Sequence, residues 1–110
     1  MKKIIMTALV AAGFLTAGSI FAADAKENWN QLCAKCHGAD GAGNTKIGKK
    51  LKVKDYTDAK VQAEFTDEQL AKTTLEGSTK DGKELMKGYK EDLSPTDVTA
   101  LVAYIRQMKK

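Results

Sequence analysis

The chain has very few of the side chains from which most metal sites and enzymes are built. Its 110 residues include one histidine, two cysteines and one proline, and aromatic residues make up 6% of the total. A structural zinc site needs four ligands, usually Cys or His, so the three present here do not complete one. The chain also lacks internal repeats, low-complexity tracts and a strand–helix–strand alternation, which disfavours a repeat protein and a thioredoxin-like dithiol.

What the chain does contain is a pentapeptide that joins its three scarce ligands, Cys33-Ala34-Lys35-Cys36-His37. The C-x-x-C-H spacing is typical of covalent haem attachment. In a helix Cys33 and Cys36 share one face, so their sulfurs can form thioethers with the two vinyl groups along one side of a porphyrin. His37 can then place a ring nitrogen on the iron. The alternative for two cysteines in an exported protein, a plain disulfide, leaves the adjacent His37 unexplained.

The N-terminus predicts export. Two lysines precede an uncharged apolar run from Ile4 to Leu15, and small residues then lead to Ala22. This pattern is that of a secretory signal peptide, residues 1–22, with cleavage after Ala25 as the alternative. No arginine pair precedes the run, which favours the general secretory route and a location in a bacterial periplasm. The other interpretation, an uncleaved anchor, is weakened because the run is only weakly hydrophobic for a span of about 20 residues.

Cleavage after residue 22 leaves one domain, residues 23–110, whose formal charge is +2 in place of +4 because two lysines are removed. A chain of this size obtains only a thin stability margin from apolar burial alone. Large apolar side chains are scarce in it, and a planar apolar cofactor in the middle would supply the missing core. The prediction is one domain folded around one covalent haem c, with its iron.

Helical patterns in the mature chain predict an all-α fold. Residues 27–36 carry an apolar stripe at helical spacing. Glycines and an asparagine then predict a loop that runs to about residue 58. Thr66 and Gln69 form a capping-box signature, and the helix that they begin is expected to end at Gly77.

A second predicted loop covers residues 78–92 and includes Met86. Ser94 is expected to cap the last helix, with Pro95 at its first position and Asp97 in its first turn. The apolar stripe of this helix consists of Val98, Leu101, Val102 and Ile105.

In this arrangement the sequence resembles a class I mono-haem cytochrome c over essentially the whole mature chain. The haem motif lies near the start, and Trp29 is an aromatic residue four positions before the first cysteine. The end of the chain also matches, in Tyr89-x-x-x-Leu93-Ser94-Pro95 and in Leu101-Val102-Ala103-Tyr104-Ile105-Arg106. The resemblance implies three to five helices around the haem, with the first and last helices crossing. It places Trp29 or Leu32 against Leu101, Tyr104 or Ile105.

The resemblance also suggests the second axial ligand. Met86 lies in a glycine-bearing loop before the last helix, where the family places its distal methionine, and a thioether suits haem iron. The alternatives are Met108, near the end of the last helix, and a deprotonated Lys87 or Lys90, whose pKa lies well above neutrality. The predicted haem ligands are therefore Cys33, Cys36, His37 and Met86.

The sequence departs from the family pattern at three places. Lys87 follows Met86, where many members have proline. Gly48-Lys49 stands where many have Gly-Pro, whose backbone carbonyl accepts a hydrogen bond from the proximal histidine ring. Ala25 replaces a glycine that is common where the first helix crosses the last. These departures concern the stiffness of the distal loop and the support of His37.

With iron held by His37 and Met86, no coordination position is open to a substrate. The sequence therefore predicts a one-electron carrier between exported or membrane-bound partners of a respiratory chain, and not an enzyme. One alternative is a haem subunit dedicated to a single dehydrogenase or oxidase. Another is a sensor or peroxidase with a labile distal ligand.

Lysines give an expectation about partners. Five lysines fall within a stretch of nine residues, 46–54, and four more flank Met86; together they are Lys46, Lys49, Lys50, Lys52, Lys54, Lys80, Lys83, Lys87 and Lys90. They predict docking to acidic redox proteins around the haem edge, although an ordinary solvated surface is the alternative because acids interleave. Nucleic acid is not expected as a partner. The mature protein is expected to be a monomer without stable membrane insertion.

Overall fold

The computed structural model describes residues 24–110, and the predicted signal segment lies outside the described residues. Five helices and one hairpin make up the described part. The helices are α1 (24–37), α2 (Lys46–Leu51), α3 (Ala59–Glu64), α4 (Asp67–Glu76) and α5 (Pro95–Arg106); the strands are β1 (Ser78–Lys80) and β2 (Lys83–Met86). The predicted all-α class is confirmed, since the only sheet within residues 24–110 is this small antiparallel pair. No helix in the same range is long and apolar enough to cross a membrane.

Helix α1 widens just before the haem motif. Residues 24–28 are α-helical, Trp29–Cys33 form a π-helical turn, and Ala34–His37 return to α-helix. The N–H of Ala34 accordingly donates to the carbonyl of Trp29, five positions earlier. π-Helical turns are often found at functional sites. The predicted helix 27–36 lies within α1, and its wide turn was not predicted.

The predicted capping box at Thr66 and the predicted cap at Ser94 are both present, and the Ser94 cap is also a capping box. At the start of α4 the Thr66 hydroxyl accepts from the N–H of Gln69 at 3.1 Å, and the Gln69 side chain accepts from the N–H of Thr66 at 2.8 Å. Ser94 and Asp97 make the same reciprocal pair at the start of α5. Helix α4 ends before Gly77 as predicted. These caps satisfy N–H groups that the first turn of a helix leaves free, so the sequence predicts both starting points.

Both predicted loops contain regular structure, and to that extent the predictions were wrong. Helix α2 lies in the first, capped by the Thr45 hydroxyl, which accepts from the N–H of Gly48. Strands β1 and β2 lie in the second, joined by an Asp81-Gly82 turn in which both residues have positive φ. This turn matches the two-residue hairpin pattern. The strands were not predicted because they are mostly exposed and lack alternating apolar residues. Helix α3 was not predicted either.

The core joins the first and last helices. Trp29 and Leu101 are almost fully buried, at 2% and 1% exposure, and the ring of Trp29 lies 6.0 Å from that of Tyr104. The crossing contact that the family resemblance implies is therefore present. Ala25 is 1% exposed, so it also belongs to this core. The buried apolar residues are Ala25, Trp29, Cys33, Leu70, Leu93, Val98, Leu101, Val102 and Ile105.

A polar network joins α3 to α5 beside this core. The buried side chain of Gln62 donates to the carbonyls of Tyr56, at 2.7 Å, and Ile105, at 2.8 Å. Its amide oxygen accepts from Arg106 at 2.9 Å. The same guanidinium donates to a carboxylate oxygen of Asp67 at 2.8 Å. A buried amide is costly without partners, so this network fixes the segment around Tyr56 against the last helix.

Candidate haem-binding cleft

One cavity of about 450 Å³ contains all four sequence-predicted ligands in its lining. Cys33, Cys36 and His37 reach it from α1, and Met86 reaches it from the end of β2. The rest of its wall is mostly apolar, and includes Trp29, Leu32, Leu51, Val53, Phe65, Leu70, Leu85, Leu101 and Ile105. The fold thus brings together residues that lie about 50 positions apart in the chain.

The haem motif is held at its carboxyl end by several hydrogen bonds. The indole N–H of Trp29 donates to the carbonyl of Gly38 at 2.9 Å. The Thr45 hydroxyl donates to the carbonyl of Cys36 at 2.7 Å, and the N–H of Gly43 donates to that of His37 at 2.7 Å. These bonds satisfy the last carbonyls of α1 and fix the direction in which the motif enters the cleft.

Gly48 allows α2 to lie directly against this motif. A Cβ atom at Gly48 would collide with the carbonyl oxygen of Cys36, and it would lie 2.6 Å from that of Gly43. Both neighbours are backbone atoms, so they cannot move aside as a flexible side chain can. The glycine therefore supports the motif by close approach.

The ring of His37 is enclosed by two aromatic side chains. It stacks on Tyr56 with ring centroids 5.4 Å apart, and it lies 5.5 Å from the ring of Trp29. Burial lowers the pKa of His37 from its ordinary value, because the charged imidazolium is poorly solvated there. The neutral imidazole, which is the form that binds a metal, is therefore favoured.

The Gly48 carbonyl does not accept a hydrogen bond from His37. The Gly48 carbonyl accepts instead from the N–H of Val53 at 3.0 Å. Within residues 24–110, Nδ1 of His37 is buried and has no hydrogen-bond partner. The left-handed residue Lys52 closes α2 and turns the chain so that Val53 takes this carbonyl.

The two cysteines are free thiols, and their environment does not suit a redox dithiol. Cys33 is 8% exposed, and burial raises the pKa of its thiol to about 11, with the nearby Cys36 adding to the effect. Reactive dithiols depend on a lowered pKa that supplies a thiolate. The site therefore disfavours disulfide exchange chemistry.

Met86 is held in a paired strand, which differs from the flexible loop expected of it. It lies opposite Ser78 at the base of the hairpin and is half-buried. Met108 is not among the residues that line the cavity; its sulfur packs against Gly41 instead. Lys87 lines the cavity, and its ammonium lies 3.8 Å from Asp92. Of the candidate distal ligands, the geometry favours Met86.

Three residues near the site were not predicted from the sequence. Tyr56 stacks on the proximal ring, Thr45 supports the motif, and Gln62 fixes the Tyr56 segment. Tyr56 lies in a polar stretch without periodicity, and Thr45 resembles any helix cap. For Gln62 the sequence carries no signal, because its partners lie far along the chain.

These residues fit a haem. The cavity is of the size that binds cofactors, and its wall is mostly apolar with few polar groups. A partly buried imidazole and a thioether line it together with two thiols, which is the donor set of a His/Met haem with covalent tethers. Cys33, Cys36, His37 and Met86 are thus the residues that would hold the group.

Comparison with known proteins agrees with this interpretation. The family model described as cytochrome c oxidase, cbb3-type, subunit III matches residues 21–105. The KustC0563 c-type cytochrome is 37% identical, with a TM-score of 0.71 over 79% of this chain and 99% of that chain. A tyrosine-to-phenylalanine variant of Kustc0563 is 36% identical, with a TM-score of 0.68 over 78% of this chain and 99% of that one. No curated protein matches. The chain therefore belongs to this family of haem electron-transfer domains, and it is a small mono-haem class I cytochrome c.

Proposed function

We propose that this cytochrome is a one-electron carrier whose haem c is tethered by Cys33 and Cys36 and bound axially by His37 and Met86. The observation that carries the proposal is the presence of His37 and Met86 in the lining of one apolar cavity. When bound, the haem supplies one-electron exchange between ferric and ferrous iron. The chain takes one electron from a donor and passes one to an acceptor, and no atom is transferred.

The residues of the chain then set the conditions for that exchange. His37 is neutral and fixed between two rings, and Met86 is held in a strand, so both ligands change position little between redox states. The apolar wall excludes water and disfavours the more highly charged ferric state, by the desolvation argument that applies to any buried charge. A methionine ligand also raises the potential.

A spectrum of the purified mature protein tests this proposal. We expect haem that resists acid-acetone extraction, a low-spin ferric form with the weak charge-transfer band of Met-ligated iron, and a reduced form that does not bind carbon monoxide readily. A high-spin ferric spectrum or ready carbon monoxide binding would contradict the carrier function. That result would favour the sensor or peroxidase alternative, since both need an open coordination position.

A second candidate is a haem subunit that delivers electrons to one oxidase. The family match supports it, because that family is described as an oxidase subunit. The two candidates differ in partner and not in chemistry. Separation of the soluble and membrane fractions without detergent distinguishes them. A free carrier is recovered as a monomer in the soluble fraction, whereas a dedicated subunit remains with its oxidase in the membrane fraction.

We further propose export to a bacterial periplasm, supported by the signal-peptide pattern of residues 1–22. A mass measurement of the secreted holoprotein tests both the cleavage site and the number of haems.

The proposed docking surface for acidic redox partners is the basic part of the cleft rim. Lys52 and Lys54 line the cavity on one side and Lys87 on the other. Two of these are already paired, since Lys54 lies 3.6 Å from Glu64 and Lys87 lies near Asp92. Among the described residues, no ion pair involves Lys52 or the three lysines of α2 (Lys46, Lys49 and Lys50). The α2 side therefore carries four lysines that no ion pair within residues 24–110 neutralises.

Charge reversal on this side is expected to slow reaction with an anion. We expect Lys52→Glu to lower the rate of oxidation of the reduced protein by ferricyanide roughly fivefold at low ionic strength, because it removes electrostatic steering at the cleft. The difference should vanish at high salt, which screens the charges. Lys60→Glu is the matched control, since it makes the same change of net charge on α3, at an exposed lysine that has no ion pair within residues 24–110 and does not line the cavity. Equal effects of both variants would contradict a localised docking surface.

A further inference from the structure

The chain that carries Met86 crosses the end of α4 at two glycines. Strand β2 ends at Met86, and the next residues pass directly over the carboxyl end of α4. Gly77, which follows α4, and Gly88, two residues after Met86, meet there backbone to backbone. We call this pair the glycine crossing. Lys87 lies between Met86 and Gly88.

The glycine crossing leaves no room for a side chain on either strand. A Cβ atom at Gly77 would collide with the carbonyl oxygen of Met86 and would lie 2.7 Å from the nitrogen of Gly88. A Cβ atom at Gly88 would lie 2.5 Å from the carbonyl oxygen of Leu75 and 2.6 Å from the carbonyl carbon of Glu76. All of these neighbours are backbone atoms. Either substitution must therefore move one chain segment away from the other.

Hydrogen bonds hold the same segment on both sides of Met86. The N–H of Tyr89 donates to the carbonyl of Thr74 at 2.9 Å, and the N–H of Lys90 donates to that of Leu75 at 3.2 Å. The Tyr89 hydroxyl donates to the carbonyl of Leu32 on α1 at 3.0 Å. On the hairpin side, Met86 itself is paired with Ser78 of strand β1. The distal segment is thus attached to α4, to α1 and to its partner strand.

We infer that the glycine crossing is the positioning device for Met86. This inference rests on the proposed Met86 ligation. If Gly88 carried a Cβ atom, the two backbones would have to separate by about 1 Å to relieve its collisions. A functional ligand, by contrast, must be held to within about 0.5 Å of its position. Gly77 and Gly88 therefore act on the iron through Met86, as positioning residues.

The decisive comparison is between Gly88→Ala and Gly82→Ala in the purified holoprotein. Gly88 does not have positive φ, so alanine there adds only a methyl group at the crossing. Gly82, at the hairpin tip, has φ of +77° and nothing within 4 Å of a Cβ atom, so alanine there adds backbone strain without a collision. We expect Gly88→Ala to lose at least half of the ferric charge-transfer band. Its reduced form should bind carbon monoxide at least tenfold more tightly than wild type, and Gly82→Ala should stay within twofold.

Equal behaviour of the two alanine variants would overturn the inference. Met86→Ala, measured in parallel, separates this failure from a failure of the proposed function. If Met86→Ala retains the band, the proposed ligation itself is wrong. If Met86→Ala abolishes the band and Gly88→Ala retains it, only the crossing is refuted.

A milder variant decides the case in which Gly88→Ala does not fold, as judged by far-ultraviolet circular dichroism. Tyr89→Phe removes the hydrogen bond to Leu32 and adds no atom. We expect two- to threefold tighter carbon monoxide binding in this variant. A wild-type value there would show that tethering of the segment does not control Met86, and would overturn the inference.

Discussion

Replacement of Met86 by alanine is expected to convert the ferric haem from low spin to high spin and to abolish its charge-transfer band. The sixth coordination position then takes water, because no other thioether lines the cavity within the described residues. We expect the reduction potential to fall by roughly 0.2 V, which is a modest part of the ≈ 0.8 V range over which axial ligands tune haem. The fall follows from the loss of a ligand that favours ferrous iron. Redox titration followed by absorbance measures it.

Met108→Ala is the matched control for this variant. It removes the one other methionine of residues 24–110, whose sulfur packs against Gly41 and not in the cavity. The spectrum and the potential should therefore match those of the wild type. If Met108→Ala loses the charge-transfer band and Met86→Ala keeps it, then Met108 and not Met86 is the distal ligand.

Trp29→Ala is expected to lower the free energy of unfolding of the holoprotein by about 4 kcal/mol. Trp29 is 2% exposed and packs against both His37 and Tyr104, so its removal leaves a large cavity where α1 crosses α5. It also leaves the Gly38 carbonyl without the indole N–H. A loss of this size is a large part of the 5–15 kcal/mol that stabilises a typical domain. Urea unfolding followed by circular dichroism gives the value.

Trp29→Phe is the intermediate substitution at this position. It retains an aromatic ring but removes the indole N–H and part of the buried ring volume, so we expect a loss of about 1–2 kcal/mol. A loss below 1 kcal/mol for Trp29→Ala would contradict the assignment of Trp29 to the centre of the core.

The parts of the fold that the sequence predicts are those encoded by local patterns. The capping boxes at Thr66 and Ser94 need only residues three positions apart, so both helix starts are readable. The haem motif is equally local. Met86 is different, because its placement in the cleft follows from the family resemblance and not from its neighbours in sequence.

The parts that the sequence does not predict depend on distant partners. Gln62 becomes a buried hub only because Ile105 and Arg106 lie beside it, 43 and 44 positions away. The glycine crossing requires the chains around residues 77 and 88 to meet. The hairpin has a readable turn at Asp81-Gly82, but its polar strands carry no alternation that would mark them as paired. Such features are set by tertiary contacts, which single-sequence patterns do not contain.

The hydrogen bond between Tyr89 and Leu32 has a consequence for how the holoprotein folds. It joins residues 57 positions apart, so the distal side of the cleft closes only after a long loop has been brought together. Until then Met86 would not be in place to bind the iron of a haem held by Cys33, Cys36 and His37. The chain has a single histidine, His37. The refolding chain therefore offers no second imidazole that Met86 would have to displace.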